Sequence, residues 1–166
     1  LEAMAAPEGG LDRLDFYNYW MRMHGWSETE ESFWGNSLVY YESTAYSDQW
    51  ICAEVHFRVN SDLDSSEGAE LELWINDENL ASFNETEGLG YWVADHFCIE
   101  DADLEDCTRY PPDPGEEMIP LDLQVRTTSE LQLNHFWPQN YTTTGGGTTG
   151  WYDDMVIATR RIGCIR

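Results

Sequence analysis

The chain has 166 residues, with 32 acidic side chains against eight arginines, no lysine and a formal net charge of −24. That length suits one domain with a sizeable core, and the charge excludes nucleic acid, anionic membrane and acidic polysaccharide as partners by repulsion. Eight Trp and nine Tyr are more than core filling needs, so some rings are expected at a groove or interface.

In chain order, residues 1–10 read as a tail or linker ending in Gly-Gly, and 11–166 as a single β-sandwich domain. Residues 14–24, LDFYNYWMRMH, predict an aromatic strand with Phe16, Asn18, Trp20, Arg22 and His24 on one face and Tyr17, Tyr19, Met21 and Met23 on the other. A turn follows at 25–31, then a strand at 37–46. Residues 50–77 carry the clearest periodicity. Ile51, Ala53, Val55, Phe57 and Val59 alternate with Cys52, Glu54, His56 and Arg58; after an acidic turn, Ala69, Leu71, Leu73 and Ile75 alternate with Glu70, Glu72, Trp74 and Asn76. Period-two alternation in both arms predicts an antiparallel pair with one buried face.

Further strands are expected at 79–83, 91–97, 121–126, 130–137 and 151–162. Between them lie the loop 98–107, the proline-rich excursion 110–115, which cannot join a central strand, and the Thr/Gly run 142–150, expected to be flexible. Apolar spacing of three and four is not sustained, so no helix is predicted. There is no internal repeat, and no transmembrane run or signal peptide is read in these residues, as expected of a mature secreted form. Apolar residues are evenly spread, which argues against disorder.

Trp-Ile-Cys-x-Glu from position 50, Arg58-Val-Asn, the acidic loop and Glu72-Leu-Trp-Ile-Asn resemble the central strands of concanavalin-A-like lyase and glucanase domains. The run Trp151 to Cys164 is similar to their closing strand, and Leu131 to Trp137 to a strand of their concave sheet. The resemblance implies an all-β fold, an antiparallel two-sheet jelly-roll sandwich, usually of secreted proteins that bind or degrade polysaccharide. Such jelly-rolls use roughly a dozen strands, against about eight to ten counted here, near the usual sheet sizes. Either the sandwich is reduced or its N-terminal strands are missing.

Four cysteines without C-x₂-C spacing suggest disulfides and an oxidising compartment, with three pairings open. Cys98–Cys107 would clip an acidic loop. Cys52–Cys164 would tie the central strand to the last, and the resemblance implies cysteines at both those places. The expected location is therefore extracellular or at the cell surface. Dense acid without lysine is expected to solubilise the surface, and it suits concentrated salt, a halophilic setting.

On this scaffold the strands at 14–24, 37–46 and 130–137 would line a concave face with Arg22, His24, Tyr40, Glu42, Gln132, Asn134 and Trp137, with Trp26 and Trp34 on nearby loops. Rings stack on sugar faces while amide and charged groups meet hydroxyls. A lyase would need a base such as His24 or Tyr40 and a carboxylate-neutralising group such as Arg22 or Gln132. The Arg-rich and Gln-Ile-His motifs of alginate lyases are absent, as is the Glu-x-Asp-x-x-Glu strand of laminarinase-type enzymes. Glu70-Leu-Glu72 stands on a different hairpin and lacks the third acid. The expectation is a non-catalytic glycan-binding module requiring no cofactor, with polysaccharide as partner. The alternatives are a polysaccharide lyase acting by β-elimination, a glycoside hydrolase, and a structural surface or filament subunit.

Asp101, Asp103, Glu105 and Asp106 in the clipped loop, with Asp153 and Asp154, are candidate ligands for a structural Ca²⁺, which takes six to eight oxygens. Asn84 and Asn140 head glycosylation sequons. The aromatic strand 14–24, if left at a sheet edge, would need covering by a second copy or a partner chain, or by its own tail folded back.

Overall fold

A computed structural model of the chain describes residues 2–4, 13–25, 35–39, 49–84, 90–99, 103–109, 121–138 and 149–164. Within these residues the fold is all-β: no α-helix is present, and the one helical turn is a 3₁₀ turn at Leu104–Asp106. Among the described residues no helix is long and apolar enough to cross a membrane.

Three strands form an antiparallel sheet in chain order: β6 (Ala53–Arg58), β7 (Glu70–Ile75) and β8 (Glu78–Asn84). The β6–β7 loop is closed by Ser61 N–H donating to Glu67 O at 2.7 Å, and Gly68 sits at φ 76°, where a Cβ would crowd Ser61. Asn76 and Asp77 make the two-residue β7–β8 turn with φ of 52° and 70°, the double left-handed geometry that matches strand twist and favours Asn and Asp. An irregularity beside Leu73 and Trp74 shifts the β8 register.

A second, mixed sheet has the order β11 (Thr108–Arg109), β10 (His96–Ile99), β9 (Gly90–Val93) and β4 (Met23–His24), with β4 parallel to β9. Two short pairs complete the described strands: β1 (Glu2–Met4) with β2 (Arg13–Asp15), and β3 (Tyr17–Asn18) with β5 (Asn36–Ser37). Both larger sheets contribute to one core. From the first come Ala69, Leu71, Leu73, Ile75, Ala81 and Phe83; from the second and its flanks come Phe16, Trp20, Leu38, Trp92 and Phe97, with Leu121 and Leu123. Two sheets closing on one apolar cluster is the layering of a β-sandwich. At its centre the Trp20 and Trp92 rings stack at 5.1 Å and Phe97 tilts against Trp92 at 5.3 Å.

Buried polar groups hold what the sheets do not. Asp15 Oδ1 accepts Leu38 N–H at 2.9 Å and Val39 N–H at 2.8 Å. Asp122, also buried, pairs with Arg22, and its Oδ1 accepts Gln124 N–H at 2.9 Å. Each carboxylate is met by donors, which lowers the cost of its burial.

Several expectations are corrected. Residues 14–24 are not one strand but contribute to β2, β3 and β4, each in a different pairing. The alternation survives the breaks, since Phe16 and Trp20 are buried while Tyr17, Tyr19 and Met21 are exposed. Residues 2–4, read as tail, pair with the start of that segment. Residues 91–97 divide into two strands, because Ala94 takes φ 48° and the chain reverses at Ala94-Asp95. Residues 121–126, 130–137 and 151–162 form no strand. In the first, backbone donors are taken by side chains: Asn60 Oδ1 accepts Val125 and Arg126 N–H at 3.0 and 3.1 Å. The other two are exposed along their length and form no ladder with a described strand, although Ile162 N–H is held by the Glu54 side chain of β6. Of the strand expected at 37–46, residues 40–46 lie outside the described residues.

Candidate functional site

The outer face of the three-stranded sheet is polar because the apolar residues of β7 turn inward. It presents Glu54, His56 and Arg58 from β6, and Glu70, Glu72 and Trp74 from β7. Glu70 accepts from Arg58 at 2.7 Å and pairs with His56 Nε2 at 2.8 Å. Glu72 accepts from Ser82 Oγ at 2.9 Å and from Trp74 Nε1 at 3.4 Å. The two carboxylates thus face neighbours that already occupy them.

At the end of this face, where β7 turns into β8, Glu54, Trp74 and Asp77 form a cradle around the C-terminal residues Arg161–Cys164. Glu54 Oε1 accepts Ile162 N–H at 2.7 Å and Oε2 accepts Gly163 N–H at 3.2 Å. Asp77 Oδ1 accepts Cys164 N–H at 3.0 Å and the Arg161 guanidinium at 3.2 Å. That guanidinium lies 3.8 Å from the centre of the Trp74 ring, a cation–π contact. Gly163 at φ 75° lets the chain enter so closely, since an added Cβ would stand 3.3 Å from Asp77 Oδ1. The Cys52–Cys164 disulfide lies beside this cradle, and Cys52 N–H donates to Asn76 Oδ1 at 3.0 Å. The second disulfide, Cys98–Cys107, joins β10 to the residue after the 3₁₀ turn. Both fit an oxidising environment.

The ligand-binding candidates are placed apart. Arg22 is engaged by Asp122, and His24 is exposed on β4 with its ring stacked on Tyr91 at 4.6 Å. Gln132, Asn134 and Trp137 are exposed in the segment that follows the buried residues 121–124. Tyr40, Glu42, Trp26 and Trp34 lie outside the described residues. No hydrogen bond among the described residues joins Arg22, His24 and Gln132 into a base-and-neutraliser set.

The calcium candidates fall partly within the described residues. Asp103, Glu105 and Asp106 are exposed around the 3₁₀ turn, where Asp106 N–H closes on Asp103 O at 2.9 Å, and Asp153 and Asp154 bond locally. No three His, Cys, Asp or Glu among the described residues are grouped to hold a metal ion; exposed acids repel one another and spread unless a fold draws them together. Asp101 and Asn140 lie outside the described residues, while Asn84 is exposed at the end of β8.

The cradle was missed because its parts are far apart in sequence. One signal was present: the last twelve residues hold three arginines and no acid, in a chain otherwise crowded with acid. Comparison of the chain with protein-family models, with curated proteins and with solved structures finds no match.

Proposed function

We propose that this chain is an extracellular glycan-binding module on a concanavalin-A-like jelly-roll, taking neutral or weakly charged polysaccharide without cleaving it. The observation that carries this reading is the exposure of three indole rings, Trp50 at 70%, Trp137 at 77% and Trp151 at 74%. Large rings left in water within a fold that buries Trp20 and Trp92 are suited to stacking on the apolar faces of sugar rings. Gln132 and Asn134, exposed in the same segment as Trp137, supply amide donors and acceptors for hydroxyls. The net charge selects against uronate polymers, and the absent lyase and glucanase signatures argue for binding rather than cleavage.

Affinity electrophoresis and glycan arrays, run in physiological and in high salt, test this. Retention on a neutral polysaccharide is expected, weakened by roughly 1 kcal/mol or more per ring in W137A and W151A. No retention on any polysaccharide at either ionic strength overturns the reading.

A further inference from the structure

Cys52 stands nearer in sequence to Cys98 and Cys107 than to Cys164. Loop closure alone therefore favours the shorter pairs, since its entropy cost grows with the length enclosed. The pair that forms nevertheless spans 112 residues. Apolar packing does not seat the C-terminal segment, because residues 149–162 are exposed, Ile162 among them. The bonds that tie it to the sheet lie over Arg161–Cys164 and are made by two carboxylates. Glu54 uses both oxygens, Oε1 on Ile162 N–H and Oε2 on Gly163 N–H, with Arg161 Nε 3.4 Å from Oε2. Asp77 Oδ1 takes Cys164 N–H and the same guanidinium, which lies over the Trp74 ring. Three successive backbone donors and one cation are thus met in a fixed order. None of these bonds involves a sulfur atom.

We propose that the cradle is a latch: it seats the C-terminal segment without the Cys52–Cys164 bond, and the bond then locks a segment already in place. The latch is assembled from one short stretch of chain. Glu54 and Trp74 are cross-strand partners on β6 and β7, and Asp77 stands in the tight turn that follows. It therefore forms with the hairpins and does not wait for the long loop to close. Charge-assisted bonds to backbone N–H groups fix which residue meets which carboxylate. Seating leaves the Cα atoms of Cys52 and Cys164 5.8 Å apart. That raises the effective concentration of this pair over the shorter ones. The coupling is reciprocal: whatever the bond adds to docking, docking adds to the bond, which it protects against reduction by the same factor. In glutathione buffer the locking step balances. The Cys52 and Cys164 thiols each lose a proton, and their sulfurs join. The two electrons and two protons pass to glutathione disulfide, which leaves as two glutathione molecules. Reduction reverses this step and leaves the segment in the cradle.

The test equilibrates the full-length chain in glutathione buffers of graded ratio, quenches with acid and weighs the linked peptides after digestion. The ratio at half reduction gives an effective concentration for each pair. E54A and R161A are each expected to lower that of Cys52–Cys164 about ten-fold and to leave that of Cys98–Cys107 unchanged. Hydrogen exchange in C52S/C164S is the second readout. The amides of Ile162, Gly163 and residue 164 are expected to stay protected there, and those of Ile162 and Gly163 to lose protection when E54A is added. A Cys52–Cys164 value unchanged in both single variants overturns the latch. So does an equal fall at Cys98–Cys107, which places the effect in the fold as a whole. Free exchange of the three amides in C52S/C164S also overturns it, since the bond alone would then hold the segment.

Discussion

Asn60 binds Arg126 as a neighbouring strand would. Its Nδ2 donates to Arg126 O at 2.9 Å, its Oδ1 accepts Arg126 N–H at 3.1 Å, and Arg126 Nε returns a bond to Asn60 O at 2.8 Å. Asn60 is fully buried, and its amide also reaches Val125 N–H and Asp62 O. One side chain thereby joins the β6–β7 loop to residues 125–126 and carries the pairing that a sheet ladder would otherwise provide. Beside it, Gln124 Nε2 donates to Leu63 O at 2.6 Å.

Replacing Asn60 by Ala strands several buried backbone groups at once, and each unsatisfied group costs about 1–3 kcal/mol. N60A is therefore expected to lose roughly 3 kcal/mol or more in urea unfolding. N60D is expected to lose a comparable amount, since it keeps the acceptor but removes both donors and buries a charge. A loss under about 1 kcal/mol in N60A would show that water replaces the amide at little cost.

The position of a residue within the sheet decides its weight. Leu73 on central β7 is fully buried, while its cross-strand partner Val55 on β6 is 44% exposed. L73A is expected to cost about 3 kcal/mol, within the usual range for a buried leucine, and V55A under about 1 kcal/mol. Equal losses in the two variants, read from denaturation midpoints at constant slope, would mean that β6 is covered in solution.

The two disulfides differ in the length of chain they close, 112 residues for Cys52–Cys164 and nine for Cys98–Cys107. On the chain-entropy account the first contributes roughly 5 kcal/mol and the second roughly 3 kcal/mol. Replacing each pair by alanines and comparing unfolding in dilute protein is expected to give that order. The reverse order would show that the short clip holds native structure beyond its own loop.

A formal charge of −24 on 166 residues makes self-repulsion part of the stability balance. Raising salt from about 0.1 M to 1 M shortens the screening length from about 10 Å to 3 Å. The urea midpoint is expected to rise steadily over that interval with either sodium or potassium chloride. A flat midpoint would show that the acids are already neutralised by local partners.

The alternation of Ala69, Leu71, Leu73 and Ile75 against Glu70, Glu72 and Trp74 determined by itself a strand with one buried face, because side-chain direction in a strand follows period two regardless of context. The same reasoning located the hairpin and the inward Phe16 and Trp20. Cysteine count left three pairings, and the realised one followed from a short acidic loop together with a resemblance at positions 52 and 164. The all-β class and the two disulfides were therefore within reach of the sequence. Only the tertiary structure decided which faces are covered. Residues 51–59 alternate as well as 69–76, yet among the described strands β6 is an edge and β7 is central, a difference set by neighbours far away in sequence. Residues 130–137 and 151–162 have strand composition but form no ladder with a described strand, and strand propensity without a pairing partner leaves the backbone to water. The Glu54–Trp74–Asp77 cradle was hidden for the same reason. Its acids read as ordinary surface charge until folding places Arg161, Ile162, Gly163 and Cys164 against them, a contact across about a hundred residues that no local pattern encodes.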